Sequence, residues 1–199
     1  YDISTTEKLG TYTSAEMREK WHDSDKDNGL SNYIHNQTQD YGGDINILNT
    51  KAYFLNDPDT NLIVTYTCHI RNDKPVNEYY MHTDYMPFFK QNPFKSAKRL
   101  LPIEFPYNMD YNCIVTMKLP QNFAVDEALQ PVEIDYQDKD MVYKKLFGYD
   151  SSMHLLSLNT HFTTKETVYL VENYETLRQF FDEMIRKENE IVVVKKDKE

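Results

Sequence analysis

Two runs alternate so regularly between apolar and polar side chains that they restrict the fold more than anything else in the chain. In LIVTYTCHIR (62–71), Leu62, Val64, Tyr66, Cys68 and Ile70 share one face, and Thr65, Thr67, His69 and Arg71 share the other. MDYNCIVTMKL (109–119) repeats the pattern, setting Met109, Tyr111, Cys113, Val115, Met117 and Leu119 against Asp110, Asn112, Thr116 and Lys118. Successive side chains of a strand point to opposite faces, so both runs read as strands of a sheet with one buried face. DINILNTKAYFL (44–55) precedes the first of them across an NDPDTN turn. Further strands are expected at 76–86, 99–105, 131–137, 140–148 and 152–162, with IVVVKK as the last. Prolines 87, 93, 102, 106, 120 and 131 punctuate this region, as expected at strand ends and edges.

Helical spacing flanks the strands. The first stretch reads as helical, with Thr13 and Glu16 placed as a capping box ahead of Met17 and Trp21. Leu30, Tyr33, Ile34 and Tyr41 continue the stripe to a stop at Gly42 and Gly43, and the polar HDSDKDNG between them breaks or kinks the helix. Near the end, Asn173 is placed as a cap, and Tyr174, Leu177, Phe181, Met184, Ile185 and Glu188 recur at helical spacing. At 199 residues with 40% hydrophobic content, the chain can bury about 70% of its unfolded surface. No internal repeat or linker divides it. The fold expected is mostly β (α+β): one antiparallel, β-sandwich-like domain over 1–199 with flanking N-terminal and C-terminal helices.

Charge narrows the partners. A net charge of −10 repels phosphate backbones and anionic membranes, and no apolar run approaches the roughly 18 residues of a membrane helix. Neither nucleic acid nor membrane insertion is expected. The stretch FFKQNPFKSAKRLLPIEFPY (88–107) sets Lys90, Lys95, Lys98 and Arg99 among Phe88, Phe89 and Phe94, a combination that could stack on single-stranded nucleic acid. In an acidic chain it reads instead as a connection between strands, with Asn92-Pro93 as a turn and the lysines solvated.

The candidate catalytic and metal groups fail on geometry. Cys68 precedes His69, but neighbours on a strand face opposite ways and cannot share the hydrogen bond a thiol nucleophile needs. Cys68 and Cys113 both sit on apolar faces, either as buried thiols or as one bridge if their strands are neighbours. Asp23, Asp25 and Asp27 resemble the start of a calcium loop, yet its sixth and twelfth positions hold Asn28 and Ile34 instead of Gly and Glu. His154 and His161, seven apart on an expected strand, fall on opposite faces, and the six histidines show no ligand spacing. With five glycines and no phosphate loop, no cofactor is expected. Sixteen tyrosines raise a glycan-binding sheet face, although half-buried strand positions account for them more simply.

Residues 92–134, NPFKSAKRLLPIEFPYNMDYNCIVTMKLPQNFAVDEALQPVEI, resemble the C-terminal domain of bacterial transglutaminase-like proteins of unknown function. The shared pattern is Asn-Pro-Phe, an arginine, Pro-hydrophobic-acid-Phe, an aromatic alternating strand and a Pro-bounded stretch. YETLRQFFDEMIRKENEIVVVKK (174–196) is similar to the last helix and strand of that family, and GTYTSAEMREK (10–20) fits it less specifically. The resemblance implies a secreted, periplasmic or cell-surface protein of several domains, and the chain, which opens at Tyr1 without a methionine or signal peptide, is expected to be a piece of it. None of the Cys-His-Asp machinery of such proteins matches here. The implied role is a non-catalytic accessory domain whose partner is the transglutaminase-like catalytic domain of the same chain; the alternative is a glycan- or peptide-binding module. The structural hallmark is carried by Asn92, Pro93, Phe94, Arg99, Pro102 and Phe105. Phe94 and Phe105 are expected in the core, Pro93 and Pro102 fix the backbone, and Arg99, beside Leu100 and Leu101, needs a fixed partner.

Overall fold

The computed structural model describes residues 2–23, 26–38, 44–71, 77–83 and 89–196. Strand β1 (Asp2–Lys8) is followed by helices α1 (Thr11–Asp23) and α2 (Lys26–Thr38). Next come β2 (Asp44–Tyr53), β3 (Ile63–Arg71), β4 (Glu78–His82), β5 (Ile103–Glu104), β6 (Asp110–Lys118), β7 (Phe123–Glu127), β8 (Val132–Tyr136), β9 (Met141–Asp150), β10 (Leu155–Thr164) and β11 (Val168–Tyr169). A 3-10 turn at Val171–Asn173 leads into α3 (Tyr174–Glu188), and β12 (Ile191–Lys196) follows. The fold is mostly antiparallel β with flanking helices, as the alternation predicts.

The large sheet runs β2-β3-β1-β6-β10-β9-β8, antiparallel at every pairing. A three-stranded sheet, β4-β12-β7, and the short pair β11-β5 complete the strands. Val64, Tyr66, Cys68 and Ile70 of β3 and Tyr111, Cys113, Val115 and Met117 of β6 are buried, as their alternation requires. They join one hydrophobic cluster with Trp21 and Ile34 of the first two helices, Leu177, Phe181 and Met184 of α3, and Val192 and Val194 of β12. The other face carries polar pairs such as Ser4–Thr67 and Asp2–His69. An antiparallel sheet tolerates water on one side, and here the pattern of each strand assigns the sides.

Three expectations need correction. The first stretch begins as a strand: β1 sits between β3 and β6, and its alternation is hidden because Thr5 and Glu7 occupy inward positions beside Ile3. The capping box at Thr13 and Glu16 is not formed, because α1 starts at Thr11 and buries Thr13 in its first turn. Ser14 supplies the local bonds instead, its hydroxyl donating to the Leu9 carbonyl (3.2 Å) and accepting from the Leu62 amide (2.9 Å). Gly10, just before, lies so close to β6 that a Cβ there would meet the Asp110 carbonyl oxygen at 2.7 Å. The expected strand at 99–105 shrinks to Ile103–Glu104, since Pro102 and Pro106 bracket it and cannot donate to a ladder.

Other boundaries shift less. The break between α1 and α2 falls inside HDSDKDNG, while Tyr41, Gly42 and Gly43 lie outside the described residues, as do residue 76 and residues 84–86 of the expected strand at 76–86. Asn173 does precede α3, but its side chain makes no capping bond. The NDPDTN turn closes as an Asx turn, the Asp59 amide donating to Asp57 Oδ1 at 3.1 Å, and the Thr60 hydroxyl adds a bond to Asp57 Oδ2 at 2.6 Å.

Candidate functional site

Asn92 is the clip of the 89–107 segment. Its Nδ2 donates to the Arg178 carbonyl (3.0 Å) and to Asp182 Oδ1 (2.7 Å), both on α3, and its Oδ1 accepts from the Phe94 amide (2.8 Å). That last bond turns the chain inward at the exposed Pro93, so that Phe94, 7% exposed, enters the aromatic core. There it meets Phe181 at 5.0 Å, Tyr174 at 6.0 Å and Phe105 at 6.3 Å, all edge-to-face. Phe105 is half-buried, stacked on Phe181 and edge-on to Tyr169. The Tyr174 hydroxyl donates to the Ser96 carbonyl (2.7 Å), and the Phe105 amide donates to the Thr167 carbonyl (2.8 Å). The segment is therefore a strap drawn across α3.

The other predicted residues of the strap stay outside. Pro102 and Arg99 are exposed, and among the described residues Arg99 has no hydrogen-bond or salt-bridge partner. The expectation of a fixed partner rested on apolar neighbours being buried, whereas Leu100 and Leu101 are 93% and 72% exposed. Lys95 and Lys98 are exposed as well.

Sequence reasoning missed the polar row inside the sheet. Lys145 of β9 lies opposite Thr160 of β10, Thr160 opposite Cys113 of β6, and Cys113 opposite Glu7 of β1. All four are buried. Glu7 accepts from the Tyr33 hydroxyl of α2 (2.5 Å) and the Tyr66 hydroxyl of β3 (3.1 Å). Burial raises the Glu7 carboxyl to about 7, outweighing those two bonds, which act the other way. At the far end, Lys145 Nζ donates to Thr83 Oγ1 (2.6 Å) and to the Lys187 carbonyl (2.6 Å). It thereby closes the C-terminus of α3, where free carbonyls and the helix dipole favour a cation. The Tyr143 hydroxyl donates to the Glu188 carboxylate beside it. The signal available in the sequence was phase: Glu7 and Lys145 occupy the inward positions of Ile3-Thr5-Glu7 and Met141-Tyr143-Lys145.

This row does not make a nucleophile. Burial, with the Glu7 charge second, pushes the Cys113 thiol well above its ordinary range, and burial lifts Cys68 to about 11. Both cysteines are free thiols; β1 separates their strands, and Cys68 faces Ile3 while Cys113 faces Glu7. His69 points to the opposite face, where its Nδ1 meets Asp2 Oδ1 at 2.6 Å. His154 bonds the Phe123 carbonyl and His161 bonds Asp110. Among the described residues no group of three His, Cys, Asp or Glu side chains could hold a metal ion. The acidic turn read at 23–27 lies largely outside the described residues. No helix of the described residues is long and apolar enough to cross a membrane.

A family model for a domain of unknown function, DUF3858, matches residues 77–194, more than half of the chain. The chain belongs to the DUF3858 family. No curated protein and no solved structure matches it. The DUF3858 segment holds the strap, α3, and β6, β10, β9 and β8 of the large sheet; β1, β2 and β3 come from the residues before it. The polar row therefore crosses the edge of the DUF3858 segment, with Glu7 outside and Cys113, Thr160 and Lys145 inside.

Proposed function

We propose that this chain is a non-catalytic accessory or interaction domain of a transglutaminase-like protein of the bacterial cell envelope, periplasmic or at the cell surface. The observation that carries the reading is the state of the chemistry-bearing groups. The two thiols are buried and shifted away from thiolate, and the buried Glu7, Lys145 and Glu188 are engaged by neighbouring hydroxyls and helix-end carbonyls. Groups held this way fix elements to one another. The resemblance of 92–134 and 174–196 to the C-terminal domain of transglutaminase-like proteins supplies the parent and the partner, the catalytic domain of the same polypeptide. The test has two arms. The isolated chain is assayed for transamidase and peptidase turnover, with none expected. The parent protein is compared with and without these residues, and its turnover or its stability should fall when they are removed. Turnover by the isolated chain that disappears in Cys113→Ala or Cys68→Ala overturns the reading.

A second reading, a glycan- or peptide-binding module, has one observation in its favour. Tyr12, 57% exposed, stacks on Tyr107 with ring centroids 5.0 Å apart and 14° between planes. An exposed aromatic face of this kind suits a sugar ring. A glycan array with native and Tyr12→Ala protein tests it, and equal, empty arrays rule it out.

A further inference from the structure

Two exposed strips of opposite character lie side by side on this molecule. The strap contributes Lys95, Lys98 and Arg99, followed by Leu100 and Leu101 at 93% and 72% exposure. Beside it, the β11 segment turns Tyr169 inward and leaves Val168 and Leu170 outward at 51% and 50% exposure. Exposed Glu166 and Glu172 bracket that apolar pair, and exposed Glu175 follows on the first turn of α3. The strips are fixed neighbours. Glu104 pairs with Val168 and Ile103 with Tyr169, and the Ser96 and Thr167 carbonyls are bonded across the join by Tyr174 and Phe105. No acidic residue occurs between Asp84 and Glu104, in a chain of net charge −10. Among the described residues, Lys95, Lys98 and Arg99 form no ion pair, not even with the glutamates beside them. Neither strip satisfies the other within one molecule.

A two-fold interface uses the same patch twice, so the patch must be complementary to itself, with its two halves adjacent. A cationic-leucine strip next to an acidic-aliphatic strip meets that condition. We propose that a second copy of this chain docks here about a two-fold axis. Leu100 and Leu101 of one copy cover Val168 and Leu170 of the other, and Lys98 and Arg99 meet Glu166 and Glu172. Two bodies of net charge −10 repel at long range, but at physiological salt that repulsion is screened beyond about 8 Å while contacts within the patch persist. The strap suits the role because it is anchored on both sides of the leucines, at Asn92 and Phe94 and again at Ile103 and Phe105, which reduces the ordering that docking requires. This docking surface is independent of the accessory-domain reading, which rests on the interior of the molecule.

Sedimentation velocity on the chain over a concentration series at physiological salt tests the proposal. A reversible monomer–dimer equilibrium is expected. Leu100→Asp should raise the dissociation constant by about tenfold or more, as burying a charge at an interface centre does. Lys98→Glu with Arg99→Glu should weaken the dimer similarly, as should Glu166→Lys with Glu172→Lys, and combining all four reversals should recover it. All of these side chains are exposed, so an unchanged urea midpoint, measured at concentrations where the native chain is monomeric, will show that each variant is folded. A chain that stays monomeric at every concentration overturns the proposal, assigning the strips to a different partner. So does a dimer indifferent to Leu100→Asp, or charge reversals that add instead of compensating.

Discussion

Glu7 and Cys113 face each other in register across β1 and β6, on the buried side of the sheet. A carboxyl and a thiol are thus placed at the centre of a hydrophobic core, with Tyr33, Tyr66 and Tyr111 around them. Neither group is favoured as an ion there: burial raises both, and the Glu7 charge makes ionisation of the Cys113 thiol harder still. Of the two, Glu7 ties the stability of the fold to pH in the neutral and mildly acidic range.

Because the Glu7 carboxyl is raised from 4.5 to about 7, the folded state binds more protons than the unfolded state between those values. The stability it contributes is fully present below 4.5 and is lost as pH rises through about 7. The loss is on the order of 3 kcal/mol, since each tenfold gain in proton affinity corresponds to about 1.4 kcal/mol. Asp57, Glu133, Asp150 and Glu183 have lowered carboxyls, so their contributions change at lower pH than this window. Urea midpoints should fall across the window in the native protein and fall markedly less in Glu7→Gln. Equal slopes in the two proteins would dismiss Glu7 as the cause.

The thiols should be silent in the folded state. A bulky thiol reagent at neutral pH is expected to label neither Cys68 nor Cys113 until urea unfolds the chain, since both are buried and held protonated. Labelling with the amplitude of two thiols, read by mass spectrometry, should follow the unfolding curve. Fast modification of either native cysteine would show an open path to the sheet's inner face.

The sheet was legible where burial and hydrophobicity coincide, as in β3 and β6, whose inward positions are apolar throughout. It was illegible in β1, where Thr5 and Glu7 point inward and a pattern-based reading sees a polar segment. The same phase rule would have flagged Lys145, but an inward lysine makes sense only once the C-terminus of α3 arrives above it from 42 residues away in sequence. In the strap, the turn at Asn92 and the anchoring of Phe94 followed from local chemistry. The exposure of Leu100 and Leu101 did not, because what covers a leucine is decided by the packing of the whole surface.

Strap residues should therefore separate sharply in stability. Phe94→Ala should cost on the order of 3–5 kcal/mol, as for other buried aromatics. Phe105→Ala should cost less, since that ring is half-exposed. Asn92→Ala removes two bonds to α3 and the bond from the Phe94 amide, which predicts a loss of roughly 1–3 kcal/mol. Arg99→Ala, Lys95→Ala and Lys98→Ala should each fall within about 0.5 kcal/mol of native, as exposed substitutions do. The readout is a urea midpoint series at constant slope. A large loss in Arg99→Ala would mean that its guanidinium has a structural partner.

The folding unit should extend beyond the DUF3858 segment. Residues 77–194 define that segment, yet the β6 edge within it is covered by β1, which lies outside. Removing residues 1–76 would strip β1 from β6, leaving a nine-residue strand with unpaired amides and carbonyls next to buried Tyr111, Cys113 and Val115. An open, flat, apolar edge of that kind recruits other chains. It would also expose the Cys113 side of the polar row to water and remove Tyr33 and Tyr66 from the core. Residues 77–199 expressed alone should therefore be aggregated, or should lack a cooperative urea transition, whereas the full chain should unfold in one step. Solubility, near-ultraviolet circular dichroism and the unfolding curve of the two forms decide it. If the short form is monomeric and unfolds with a native-like midpoint, the polar row is dispensable and β1 is an addition to a sheet that is complete without it.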